Sequence, residues 1–179
     1  MSAIFTDPDS AFFKSAAALD VGPLKEDAFR GFLSRKFASG ERNIGDDMLT
    51  RVMGIADHVP GDVQELCACL WEATSPGDDI TEKTIPPALE LIFARESKGY
   101  EAVLVQLTGQ QLSCLCGLAR VGGTAPLSVA FLREVGIGSP ASVQKALNRL
   151  LKSKIIYRYG GDYKFVNPFL KSWLVWKNY

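Results

Sequence analysis

The chain has 179 residues, 47% of them hydrophobic and 22% charged, with 20 Lys/Arg against 20 Asp/Glu. That composition excludes a disordered chain and allows one large domain or two small ones. The zero net charge conceals a split: residues 108–179 carry ten Lys/Arg against only Glu134 and Asp162, so the residues before them hold ten basic and 18 acidic side chains. Segregated charge of this kind points to a polyanionic partner.

The opening residues, Met1 to Asp7, have no basic region followed by a long apolar run, which argues against secretion and for a cytoplasmic protein. No apolar run reaches the roughly 18–20 residues that span a bilayer. A first helix is expected from about Leu24 to Ala38, with Ala28, Phe29, Phe32, Leu33 and Phe37 on one face and Gly40 closing it. Asp46 and Asp47 mark the next helix start, where negative charge suits the positive dipole end. Its stripe is Leu49, Val52, Met53 and Ala56. Pro60-Gly61-Asp62 opens a third helix to about Ala73, burying Val63, Leu66, Cys67, Leu70 and Trp71. After the turn cluster from Ser75 to Asp79, a long helix led by Pro86-Pro87 continues to Leu107, with a break expected at Gly99.

Composition changes at Leu107-Thr108-Gly109. A helix follows from about Gln110 to Val121, then a short one from Val129 to Val135, capped by Ser128 and ended by Gly136. Ser139-Pro140 is an N-cap with proline at the first helical position, leading a helix to about Ser153 that buries Val143, Leu147, Leu150 and Leu151. Ile155 to Tyr159 and Tyr163 to Val166 read as strands joined by Gly160-Gly161-Asp162, and Asn167-Pro168 starts a last helix. The fold expected is therefore mainly α. A four-helix lid-like bundle (24–107) precedes a winged helix-turn-helix domain with a small β-hairpin (108–179), and residues 1–23 form a leading linker.

In a helix-turn-helix the second helix lies in the major groove, so its reading residues oppose its buried stripe. On 141–153 these are Ser142, Gln144, Lys145, Asn148, Arg149 and Lys152; the wing adds Arg158, Tyr159 and Lys164. Serine, glutamine and asparagine can bond base edges, while lysine and arginine can meet phosphate or guanine. The same residues also fit a solvated face or a protein-docking module. The cysteines fall as Cys67/Cys69 and Cys114/Cys116. At this spacing on a helix two side chains point about 200° apart, so buried thiols are expected and no metal. No phosphate loop or nucleophile elbow is present, and the single His58 has no evident partner, so the chain is not expected to be an enzyme.

Four segments resemble the C-terminal portion of archaeal and bacterial P-loop ATPases of the AAA/STAND type. They are Ile4 to Pro8 with Phe12 to Ala16; Phe29 to Phe37 with Gly40 and Ile44; Val59 to Cys67 with Leu70-Trp71; and the winged-helix positions from Ser142-Val143 through Trp173-Leu174. The resemblance implies a helical lid and a winged helix separated from a missing N-terminal ATPase domain, with 1–23 the end of that core and ATP and Mg belonging to the full-length parent. In the family's glycine-x-proline element His58 stands at the glycine and Pro60 at the proline, which in relatives lies near the adenine. Gly61-Asp62-Val63 lacks the arginine that many relatives use to sense phosphate. The expectation is a non-catalytic region whose winged helix binds duplex DNA. The rivals are an autoregulatory docking module without nucleic acid and a complete small transcription factor; the abrupt start at Ile4-Phe5 argues against the last.

Overall fold

Three short helices built on four-residue apolar spacing begin the described part of the computed structural model, residues 24–179; the segment 1–23, read above as a linker, lies outside it. Helix α1 (Glu26–Ser39) has Glu26 and Asp27 in its first turn and Lys36 in its last, each sign matched to the helix dipole. Phe29, Leu33 and Phe37 are buried, whereas Ala28 and Phe32, expected in the same stripe, lie on the exposed side. Helix α2 (Asp46–Ile55) buries Leu49, Val52 and Met53, and Ala56 behind it is fully covered. Helix α3 (Pro60–Glu72) starts on proline and buries Val63, Leu66, Cys67, Cys69 and Leu70.

A two-residue parallel pairing of β1 (Asn43–Ile44) with β2 (Asp79–Ile80) ties the exit of α1 to the segment after α3. Sequence periodicity does not foresee it, because two residues cannot display an alternation. After a 3-10 turn (Glu82–Thr84), helix α4 runs unbroken from Ile85 to Val105. The break expected at Gly99 does not occur. An interior glycine costs a helix only about 1 kcal/mol, and contacts on both sides of it, Phe93 before and Tyr100 after, hold the helix straight through.

The second half has the anticipated order. Helix α5 (Gly109–Val121) opens on a capping box in which the Gln111 amide donates to Thr108 Oγ1 and the Thr108 amide donates to Gln111 Oε1 at 2.8 Å. Helix α6 (Val129–Val135) ends at Gly136 in the left-handed conformation, φ 66°. Helix α7 (Pro140–Lys152) follows the Ser139 cap. Strands β3 (Ile156–Tyr159) and β4 (Asp162–Phe165) pair antiparallel around Gly160 and Gly161, whose φ values of 59° and 96° suit a two-residue hairpin turn. Helix α8 (Pro168–Trp176) is capped by Asn167, whose side chain accepts from the amides of Phe169 and Leu170.

Helix α5 is the centre of the winged helix and packs against α6, α7 and α8. Helix α4 packs on α3 and also on α8, so its apolar surface serves both halves of the chain. At that seam the rings of Tyr100 and Trp173 lie 5.4 Å apart and those of Phe93 and Trp176 5.3 Å apart. The buried side chains form one continuous cluster from Phe29 to Leu174, crossing the 107/108 boundary. No helix among the described residues is long and apolar enough to cross a membrane.

Candidate nucleic-acid interface

Helix α7 sorts its residues cleanly. Val143, Ala146, Leu147 and Leu150 are buried against α5 and β3, while Lys145, Asn148, Arg149 and Lys152 are exposed on the other side. Ser142 and Gln144 are half-buried at the edges. Gln144, Lys145, Asn148, Arg149 and Lys152, with Ala141, line one shallow open depression along the helix. Lys145 and Arg149 also border a second depression, facing Gln110 and Gln111 at the start of α5. None of the three cations is ion-paired with a described residue. The polar edge is pre-oriented: Gln144 Nε2 donates to Asn148 Oδ1 at 3.0 Å and to the Tyr163 hydroxyl at 3.4 Å.

The wing divides the three residues expected there. Strand alternation sends neighbouring side chains to opposite faces. Because Arg158 pairs with Tyr163 while Tyr157 pairs with Lys164, Arg158 shares a face with Tyr163, and Tyr157, Tyr159 and Lys164 share the other. Arg158 lies 5.2 Å from the centre of the Tyr163 ring, whose hydroxyl meets Gln144, so Arg158 belongs to the α7 side. Lys164 faces the helical half. Its Nζ donates to Asp57 Oδ1 at 2.6 Å, and the Tyr157 hydroxyl donates to Asp57 Oδ2 at 3.1 Å. Lys164 also lies 5.3 Å from the Tyr159 ring. The hydrogen bond to Asp57 raises the Lys164 ammonium above its ordinary pKa, and burial followed by the Asp57 charge raises Tyr157. The structure thus gathers Ser142, Gln144, Lys145, Asn148, Arg149, Lys152 and Arg158, and sets Tyr159 and Lys164 apart from them.

Asp57 and Tyr157 were not singled out from the sequence. The one signal was the departure at His58 from the glycine of the glycine-x-proline element. That departure has a backbone counterpart: Asp57 and His58 are consecutive non-glycine residues at φ 49° and 59°. The left-handed region costs a non-glycine residue roughly 1–2 kcal/mol, so the turn between α2 and α3 is held there by its contacts. Pro60, at the first position of α3, is exposed just beyond it. The acids at this turn are Asp57 and Asp62, whose carboxyl is raised by burial and then by Asp57, and its nearest cation is Lys164, which Asp57 engages. With that one cation already engaged by Asp57, Pro60 itself offers only an apolar ring surface.

A cleft of about 190 Å³ opens between α2 and the wing, lined among others by Gly54, Asp57, Gly122, Gly123, Lys164 and Lys171. Gly123 is required at its edge. A Cβ there would collide with the Tyr163 carbonyl oxygen, and the Gly123 carbonyl accepts from the Tyr163 amide at 3.1 Å. All four cysteines are buried, and burial pushes the Cys67 thiol up to about 12 and Cys114 to about 11. No group of three or more His, Cys, Asp or Glu placed to hold a metal ion occurs among the described residues.

A family model described as a probable winged helix domain matches residues 98–176. The match begins inside α4 and takes in Tyr100, whose ring packs on Trp173 of α8. No curated protein and no solved structure matches the chain.

Proposed function

We propose that this chain is the non-catalytic, cytoplasmic C-terminal region of a P-loop ATPase of the AAA/STAND type, and that its winged helix binds duplex DNA through α7. The observation that carries the reading is the face of α7: Lys145, Arg149 and Lys152 exposed and without a described ion-pair partner, beside the Gln144–Asn148 amide pair. Phosphates supply affinity at such a face, and amides supply base reading. Arg158 extends it onto the wing. Within the parent protein, ATP and Mg belong to the N-terminal ATPase domain, and the family resemblance makes Pro60 the position of this chain that would touch the nucleotide.

The test is fluorescence anisotropy with a labelled random-sequence duplex across salt concentrations. Replacing Lys145, Arg149 and Lys152 together by Ala removes three phosphate contacts, so the log–log salt slope should become shallower by about 2.7. Unchanged affinity in the triple variant would sink the reading.

A second reading has its own observation. The wing is fastened to the helical half through Asp57, and the seam of Phe93, Tyr100, Trp173 and Trp176 unites the halves. That arrangement suits an autoregulatory module whose winged helix docks on the ATPase domain without nucleic acid. It predicts no binding to duplex or heparin at low salt.

A further inference from the structure

Among the described residues one ion pair crosses from the helical half to the winged helix, that of Asp57 with Lys164. Its geometry is that of an anion held by two donors: one carboxylate oxygen takes the Lys164 ammonium and the other takes the Tyr157 hydroxyl. The donors sit on paired residues of neighbouring strands, so the ribbon itself fixes their spacing. An ammonium and a phenol set side by side suit two oxygens of a phosphate as well as two of a carboxylate.

Resting on the duplex-binding reading above, we propose that Tyr157 and Lys164 form a phosphodiester-binding pair on the wing, and that Asp57 occupies it from within the chain as a carboxylate stand-in for phosphate. Three further features support this. The pair is not sealed: the Lys164 and Asp57 side chains keep 32% and 27% of their exposure, and the cleft beside them is open. Asp57 holds its position from a left-handed backbone shared with His58, so the stand-in is seated on a turn that gains by relaxing. Arg158 projects from the opposite face of the same ribbon. With Asp57 in place the wing therefore offers one cation without an ion-pair partner among the described residues; once Asp57 leaves it offers one on each face, which lets the ribbon meet the phosphates of both strands bordering a groove.

The experiment compares wild type, Asp57→Asn and Asp57→Asn/Lys164→Ala in the full chain, by duplex anisotropy across salt. Asparagine tolerates the left-handed conformation as well as aspartate does, so Asp57→Asn removes the charge without forcing the turn. It should bind several-fold more tightly, with a log–log slope steeper by about 1, the signature of one added phosphate contact. Lys164→Ala in that background should return the slope to the wild-type value. Tyr157→Phe, which deletes one of the two bonds and keeps the ring, should give faster hydrogen exchange in β3 and β4 and serves if Asp57→Asn folds poorly. Wild-type binding with no gain in Asp57→Asn overturns this inference and leaves the α7 reading standing. Binding that appears only in Asp57→Asn supports it, and binding by neither overturns both. Inorganic phosphate replacing chloride at equal ionic strength separates the sources of phosphate: if it erases the gain, the pair takes free phosphate and the duplex assignment falls.

Discussion

Arg42 is a buried cation with no carboxylate partner among the described residues, 8% exposed. Its guanidinium donates instead to the carbonyls of Gly40, Trp71 and Thr74 and to Thr74 Oγ1, and lies 4.2 Å from the centre of the Trp71 ring. The carbonyls are those at the ends of α1 and α3, where the helix dipole favours positive charge. This is why Trp71, expected in the core stripe, rests at the surface: one face is covered by Arg42, and Gly40 has no Cβ because the indole occupies that space. Arg42→Ala should cost about 2 kcal/mol in urea unfolding, since three partly buried carbonyls lose their donor. Arg42→Lys should recover little, because an ammonium cannot span the same fork of acceptors. The buried thiols make a second claim. With folded pKa values of about 12 for Cys67 and about 11 for Cys114 against an ordinary 9.0, ionisation favours the unfolded chain. Their contribution is fully present below about pH 9 and is lost as pH rises from there towards 11–12. The urea midpoint should therefore hold steady from pH 7 to 8.5 and fall above 9, and Cys67→Ala/Cys114→Ala should flatten that fall.

Elements whose signals are local were legible in the sequence. Ser139-Pro140 announces α7, Gly160-Gly161 announces the hairpin, and the spacing of Val143, Leu147 and Leu150 fixes which face of α7 is free. Elements settled by distant contacts were not. β1 and β2 are two residues each and exist because the chain exits of α1 and α3 meet, as the hydrogen bond from the Gly77 amide to the Glu41 carbonyl records. The candidate site divides along the same line. The α7 residues were readable as a helix face, whereas Asp57 and Lys164 are 107 positions apart and a single pair of charges leaves no periodic trace. Helix α4 departs from the expectation, because glycine usually punctuates a sequence yet Gly99 sits inside an unbroken helix. Nothing lies within 4 Å of a Cβ built on it, and its φ is not in the left-handed region. Gly99→Ala should raise stability by about 0.5–1 kcal/mol in thermal or urea unfolding; a loss would mean that α4 bends there.

For the molecule as a whole, the shared core makes the two halves one folding unit. Trp173 is fully buried with Tyr100 of α4 against it. The intact chain should unfold in a single transition. An isolated 108–179 piece should melt well below a piece that retains α4, residues 85–179; equal melting temperatures would show that the seam contributes nothing. The uninterrupted α4 also sets the mechanics. It is a rod about 30 Å long, held by α3 through Arg95 and by α8 through Phe93 and Tyr100. A winged helix bolted to such a rod cannot swivel at the 107/108 link without tearing the aromatic seam. The hairpin is mounted differently, cantilevered from β3 and β4 with a glycine tip and moored to the helical half by Asp57. Casting off that mooring would let the ribbon flex while the body behind it stays put. Among the described residues the compliant part is thus the wing, and α7 keeps its bearing whichever way the wing turns.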